Sequence, residues 1–145
     1  MGQLSFPVMS KVYLDTAPFI YSIEKHADYW QILTSLWQSL KSREIEVFTS
    51  ELTLLETLVQ PVKQNNQQLI SAYETLLTKT DINLLPISLD ILRESANLRA
   101  TKNLKTPDVI HASSAFSVNA THFVTNDAGF KRLSNINVII LSEII

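Results

Sequence analysis

The sequence predicts a three-layer α/β/α domain on a five-stranded parallel sheet, and three observations carry that expectation. Five short apolar stretches rich in β-branched and aromatic residues alternate with segments of helical spacing. No hairpin signal joins any two of them, so each strand returns through a helix and the sheet is parallel and covered on both faces. The chain has 145 residues, 46% apolar and 18% charged, which fits a single domain over residues 1–145 with a substantial core.

The first strand is expected at Lys11 to Leu14 and runs straight into Asp15. In open α/β sheets, ligands bind in the crevice beyond the carboxyl ends of the strands, so an acid here is a candidate site residue. Residues 1–8 read as a loose N-terminal tail, with Met9 as a second candidate start. Thr16 and Pro18 suit the opening of a short helix that reaches about Lys25. Asp28 is the expected cap of a longer helix, in which Trp30, Leu33, Leu36, Trp37 and Leu40 recur at spacings of three and four. Both tryptophans read as packing residues of that stripe.

Glu44 to Thr49 has the composition of a second strand, and Ser50 that of an N-cap. In the helix from Glu51 to about Val59, Leu52, Leu55 and Val59 form an expected inward stripe, with Glu56 among them. An unpaired charge there costs on the order of 3 kcal/mol or more, so Glu56 requires a cation, a basic partner or a proton. Glu51 lies in the first turn, where the helix dipole alone explains an acid. Pro61 is expected to interrupt the helix. A further helix follows over Asn65 to Thr78, then a third strand over Ile82 to Ile87. Ser88 and Asp90 open a helix ending near Thr101, and Lys102 to Lys105 form a short basic connector.

Thr106 is the expected N-cap of the next helix, with Pro107 at its first position and Asp108 at its second. Acids in a first turn are favoured whatever their function, so Asp108 gains weight only from its company. His122 to Thr125 reads as the fourth strand and leads into Asn126 and Asp127. Asp127 follows a strand as Asp15 does, although an Asp close before a Gly is also common turn chemistry. Asn137 to Leu141 is expected as a buried fifth strand.

The charge balance narrows the function classes. A net charge of −2 argues against a protein that coats nucleic acid by bulk electrostatics. Residues 1–90 hold six basic and ten acidic side chains, whereas residues 91–145 hold six basic and four acidic. Arg93, Arg99, Lys102, Lys105, Lys131 and Arg132 make up that second basic set, which suits either a solvated surface or contacts to phosphates. The absence of cysteine excludes disulfides, zinc thiolate sites and cysteine nucleophiles, and is compatible with a reducing cytoplasm. No basic leader precedes an apolar run and no segment approaches about eighteen apolar residues, so a soluble cytoplasmic protein without membrane association is expected.

Asp15, Glu56, Asp108 and Asp127 are distributed as they must be if the carboxyl edge of the sheet gathers four carboxylates. Four such groups at close quarters cannot all remain ionised without compensation. A hard divalent cation, Mg²⁺ or Mn²⁺, prefers oxygen ligands and resolves the crowding.

The segments Val-Tyr-Leu-Asp15-Thr, Glu51-Leu-Thr-Leu-Leu-Glu56, Leu-Lys-Thr-Pro-Asp108-Val-Ile-His-Ala and Phe-Val-Thr-Asn-Asp127 resemble the four acidic motifs of PIN domains, in the family's order and spacing. The similarity is greatest to the small VapC-like toxins of bacterial type II toxin–antitoxin pairs and covers nearly the whole chain. The resemblance implies a strand order of 3-2-1-4-5 and a metal-dependent endoribonuclease. Asp15, Glu56 and Asp108 match the family's central acids, Asp127 its more variable fourth, and Thr125 the hydroxyl residue that accompanies it. These four are the expected catalytic and metal-holding residues. Thr16, Thr125 and Asn126 are expected to orient them, and Lys102, Lys105, Lys131 and Arg132 to hold the RNA backbone. The implied partners are an RNA substrate, a small antitoxin and a second copy of the chain. The apolar helix over Asp28 to Lys41 and the helix after Ser50 are the candidate contact surfaces.

His111 shares a helical side with Asp108 and reads as a packed or hydrogen-bonded histidine, with donation to a phosphate or to a carboxylate as the alternative. Tyr13 and Tyr21 read as packing. A receiver domain is a poorer match, because Asp15 is followed by Thr16 and not by a second acid. A haloacid-dehalogenase-type phosphatase requires Asp-x-Asp, and Ala17 occupies that place. A PIN-like scaffold that binds RNA or protein without cutting remains the alternative.

Overall fold

The computed structural model describes residues 3–144. Its strands are β1 (Lys11–Leu14), β2 (Glu46–Ser50), β3 (Asn83–Leu85), β4 (His122–Thr125) and β5 (Asn137–Ile140). The helices are α1 (Thr16–Ile23), α2 (Trp30–Lys41), α3 (Glu51–Lys63), α4 (Gln67–Thr78), α5 (Leu89–Thr101) and α6 (Thr106–Ser117). All strand pairs are parallel and their order is β3-β2-β1-β4-β5, as expected. The winding changes direction between β1 and β4. The crevice beyond their carboxyl ends is therefore the topological switch point of the sheet.

The two-residue period of the strands builds two cores. Val12, Leu14, Val47 and Val124 face Phe19, Leu33, Leu36 and Leu77 of α1, α2 and α4. Tyr13, Phe48 and Phe123 face the other way, against Val109, Ala112 and Ala115 of α6. Small residues on α6 let it sit close on these rings, and Tyr13 stacks on Phe123 with centroids 5.1 Å apart. Each large side chain fully buried here contributes about 1.5–3 kcal/mol.

With only two glycines in the chain, four helices end on a left-handed residue of another type: Lys25, Arg43, Asn65 and Asn119. The ends at Arg43, Asn65 and Asn119 are closed by the paired backbone bonds of a Schellman motif, such as Glu44 N–H to the Ser39 carbonyl at 2.9 Å and Arg43 N–H to the Leu40 carbonyl at 3.0 Å, and the end at Lys25 by His26 N–H to the Tyr21 carbonyl at 2.9 Å.

Several expectations are corrected. The tail is not loose from Leu4 onward: Leu4 is buried, Ser35 donates to its carbonyl at 2.7 Å, and Phe6 packs edge-on against His122. Met1 and Gly2 lie outside the described residues. Asp28 does not cap α2; Tyr29 holds that position, and Asp28 sits in a turn with its N–H on His26 Nδ1. Pro61 does not interrupt α3, because it lies in the last turn, where it costs one hydrogen bond and where its own carbonyl accepts from Asn66 N–H at 2.9 Å. Helix α6 starts at Thr106 with Lys105 as its cap, one position earlier than expected. β5 is an edge strand and is only partly buried.

The inward face of α3 also differs from expectation. Thr53, Thr57 and Pro61 are its buried residues, whereas Leu55 and Val59 are exposed. Hydroxyl partners explain the inversion: Thr49 Oγ1 lies 2.7 Å from Thr53 Oγ1 and donates to the Leu14 carbonyl at 2.8 Å. A buried hydroxyl with a partner costs little, so threonines fill a position that leucines would otherwise take.

Candidate active site

Asp15 leaves the end of β1 as the residue before α1, with an extended backbone and a side chain that does not cap the helix. Its N–H bonds the Val124 carbonyl at 3.3 Å, which fixes it beside β4. The carboxylate is 8% exposed. Thr125, at the end of β4, donates to Oδ2 at 2.5 Å, while Oδ1 is buried with no hydrogen-bond partner among the described residues. Burial pushes the Asp15 carboxyl up to about 6; nearby His111 and the Thr125 bond offset part of this, and the Glu56 charge adds to it.

Glu56 reaches the same edge from α3, half-buried. Its Oε1 accepts from Thr16 Oγ1 at 2.6 Å and from His111 Nε2 at 2.8 Å. Burial pushes the Glu56 carboxyl up, but the hydrogen bonds from His111 and Thr16 outweigh it and hold the group below its ordinary value. Among the described residues no hydrogen bond reaches Oε2. Thr16 and Thr125 thus orient the two central carboxylates, and each acid keeps one oxygen uncommitted.

Asp108 lies in the first turn of α6, partly buried. Burial raises its carboxyl above the ordinary value, the charges of Asp127 and Glu56 raise it further, and His111 and Lys105 oppose them. Asp127 is exposed, and its Oδ1 accepts the Gly129 N–H at 2.8 Å, so the turn role read from its neighbours is real. The same residue is tied to the site, because its N–H donates to Thr125 Oγ1 at 3.1 Å. The four acids are thus electrostatic neighbours at the switch point, and among the described residues none forms an ion pair with Lys or Arg.

The gathering is looser than a closed cage. Among the described residues no three Asp, Glu or His side chains stand at metal-ligand spacing. The oxygen donors nevertheless suit a hard cation: a buried carboxylate oxygen with no partner is rare in folded proteins and is satisfied by an ion or water. Asp15 Oδ1, Glu56 Oε2, Asp108 and Asp127 are the groups that can offer oxygens.

The other expected residues divide. Asn126 turns away from the carboxylates, donating to Tyr21 Oη at 3.0 Å and accepting from Ser142 N–H at 2.9 Å; it ties α1 to the C-terminal turn. Lys131 pairs with Glu143. Arg132 donates to the Asn103 carbonyl at 2.9 Å. Lys105 is exposed, is the cap residue of α6 and acts on Asp108. Lys102 is half-exposed at the end of α5. His111 is packed and hydrogen-bonded as expected, buried with Nε2 on Glu56 and Nδ1 2.7 Å from Tyr13 Oη, and through that contact Tyr13 exceeds its expected role. Tyr13 was read as packing, yet it stands two residues before Asp15 on a strand and so shares its face. That spacing was the available signal.

The PIN domain family model matches residues 12–136, a span that includes all four acids. The chain belongs to the PIN domain family. Its fold is shared with solved toxin–antitoxin structures of low sequence identity. VapBC-1 from nontypeable Haemophilus influenzae is 22% identical with a TM-score of 0.72, covering 91% of this chain and 98% of that one. VapBC2 from Rickettsia felis, bound to a DNA fragment from its promoter, is 21% identical with a TM-score of 0.71, covering 90% and 98%. VapC20 of Mycobacterium tuberculosis, a toxin that cleaves the sarcin-ricin loop, is 13% identical with a TM-score of 0.69, covering 87% and 98%. No curated protein matches the sequence. In this PIN domain no described helix is long and apolar enough to cross a membrane.

Proposed function

We propose that this PIN domain is a metal-dependent endoribonuclease that hydrolyses RNA phosphodiester bonds as the toxin of a cytoplasmic type II toxin–antitoxin pair. The observation that carries the reading is the buried Oδ1 of Asp15, unpartnered among the described residues, beside three further acids that form no ion pair with a described Lys or Arg. Mg²⁺ or Mn²⁺, when bound, supplies charge neutralisation at the attacked phosphate and a more acidic attacking water. Such ions keep several waters and take few protein ligands directly, which suits an open set of acids.

The chain's own residues do the positioning. Asp15 and Glu56 each commit one oxygen to a neighbouring donor and present the other. Asp108 and Asp127 crowd negative charge that disfavours an empty site. Lys105 stands where a backbone phosphate approaching Asp108 would meet it, and Lys102 extends that basic edge. For the antitoxin and for a second copy of the chain, the supporting surface is apolar and exposed: Leu55, Val59 and Val62 on α3, with Leu89 and Leu92 on α5.

That no three ligands stand at coordination spacing among the described residues favours a second reading, a PIN scaffold that binds RNA or protein without cutting. Mn²⁺-dependent cleavage of RNA by the purified chain separates the two. The nuclease reading expects cleavage by wild type and none by folded Asp15→Asn or Asp108→Asn, and equal cleavage by all three refutes it. Growth arrest on expression, relieved by a neighbouring gene, tests the toxin assignment.

A further inference from the structure

We infer that Tyr13 and His111 act together as positioning residues for Glu56, fixing which of its two carboxylate oxygens is offered to a divalent cation. The inference deepens the nuclease reading and rests on it only for the choice of cation.

Three elements meet in one line of hydrogen bonds. Tyr13 rises from β1, His111 from α6 and Glu56 from α3, linked at 2.7 and 2.8 Å, and Thr16 of α1 closes on the same Glu56 oxygen at 2.6 Å. The direction of the bonds follows from the chemistry of the ends. A carboxylate only accepts, so His111 Nε2 carries the hydrogen toward Glu56. In neutral His111, Nδ1 must then accept, and the Tyr13 hydroxyl must donate to it. Tyr13 is able to do so, since a phenol carries its proton at neutral pH. Tyr13 and His111 are fully buried, and the Tyr13 ring is clamped by Phe123, so neither partner can swing.

Glu56 itself is a flexible side chain that is 29% exposed. Two donors on Oε1 leave Oε2 as the free oxygen of an acid whose charge acts on Asp15. Partners that orient a metal-holding carboxylate in this way are worth about 10- to 100-fold in metal affinity.

The test uses the full chain and Mn²⁺ alone, with binding followed by calorimetry and by the electron paramagnetic resonance of the ion. His111→Ala is expected to weaken Mn²⁺ binding by about 10- to 100-fold, and His111→Gln, whose amide can still donate to Glu56, to recover part of that loss. Tyr13→Phe keeps the ring and removes only the donor. It is expected to weaken binding and, in the metal-free protein, to shift the ¹⁵N signals of His111 away from the pure Nε2–H tautomer. Should His111→Ala fail to fold, Tyr13→Phe and His111→Gln carry the comparison. Mn²⁺ affinity within about twofold of wild type in the folded variants, an unchanged His111 tautomer in Tyr13→Phe, or a wild type that binds no Mn²⁺ overturns the inference. A wild type that binds Mn²⁺ but cuts no RNA removes the nuclease reading instead, and the affinity series still decides this one.

Discussion

Thr125 holds Asp15 by one oxygen only: its hydroxyl meets Oδ2 at 2.5 Å, and Oδ1 is left buried without a donor. The bond joins the ends of the two central strands, so the orientation of the most buried acid depends on the pairing of β1 with β4.

Asp15 makes the metal-free protein sensitive to pH. Its carboxyl is raised from 3.8 to about 6, so the folded state holds a proton that the unfolded chain has already released. The stability this contributes is complete below pH 3.8 and is lost as pH rises through 6. From pH 4 to 7.5, the difference in unfolding free energy between chelator-treated wild type and Asp15→Asn is expected to move by about 2 kcal/mol in favour of the variant. Denaturant unfolding at the two pH values measures it, and a constant difference contradicts the assignment. Mn²⁺ at pH 7.5 should raise the unfolding midpoint of wild type and leave that of Asp15→Asn nearly unchanged.

Removing the Thr125 hydroxyl with Thr125→Val keeps the buried shape and strips Asp15 of its donor. Cleavage and Mn²⁺ affinity are each expected to fall by about 10- to 100-fold with the fold intact by circular dichroism. Thr125→Ser, which restores the donor, should return most of the activity. Full activity in the valine variant would show that Oδ2 needs no such anchor.

Lys105 and Lys131 are both exposed, but they differ in what they already touch. Lys131 is paired with Glu143, whereas no ion pair involves Lys105 among the described residues. Lys105→Ala should weaken RNA binding and reduce the slope of log K against log salt by about one phosphate contact. Lys131→Ala should change both less. Salt titrations of RNA binding give the answer, and the opposite ranking would move the substrate path to the Lys131 side.

Arg43 closes α2 with φ at 59°, a left-handed conformation that costs a residue with a Cβ about 1–2 kcal/mol. Arg43→Gly removes that cost and adds some unfolded-state entropy. A net gain of about 1 kcal/mol is expected, or about 2–4 °C in midpoint. Thermal unfolding checks it, and a loss of stability would mean that the Arg43 side chain carries more than its backbone position implies.

The architecture was legible because it follows from alternation and connection length. The strands and the acids at strand ends come from patterns local in sequence, whereas the order of the strands came from the resemblance to PIN domains. Glu56 was found for an incomplete reason: its helix places it at the edge as expected, but the face that goes inward is built of hydroxyls. Hydrophobicity does not report that a threonine has a buried partner 2.7 Å away. Asp28 and Thr106 show the usual uncertainty of helix starts, where several residues have capping chemistry and tertiary contacts choose among them. The Tyr13 to His111 contact was hidden for another reason. The two residues are 98 positions apart, and nothing local marks either as the other's partner. Asn126 made the opposite error available, since adjacency to Asp127 in sequence says nothing about where an amide points.

Alternation along β1 gives its few residues incompatible destinations: Val12 and Leu14 to one core, Tyr13 to the other, and Asp15 to the edge. A single inserted or deleted residue between Lys11 and Asp15 would exchange those destinations, turning the aliphatic pair toward α6 and withdrawing the phenol from the histidine. Sequence change in this strand is therefore confined to replacement in place, and in-frame length changes that loops absorb would here dismantle two hydrophobic layers and the setting of Asp15 at once.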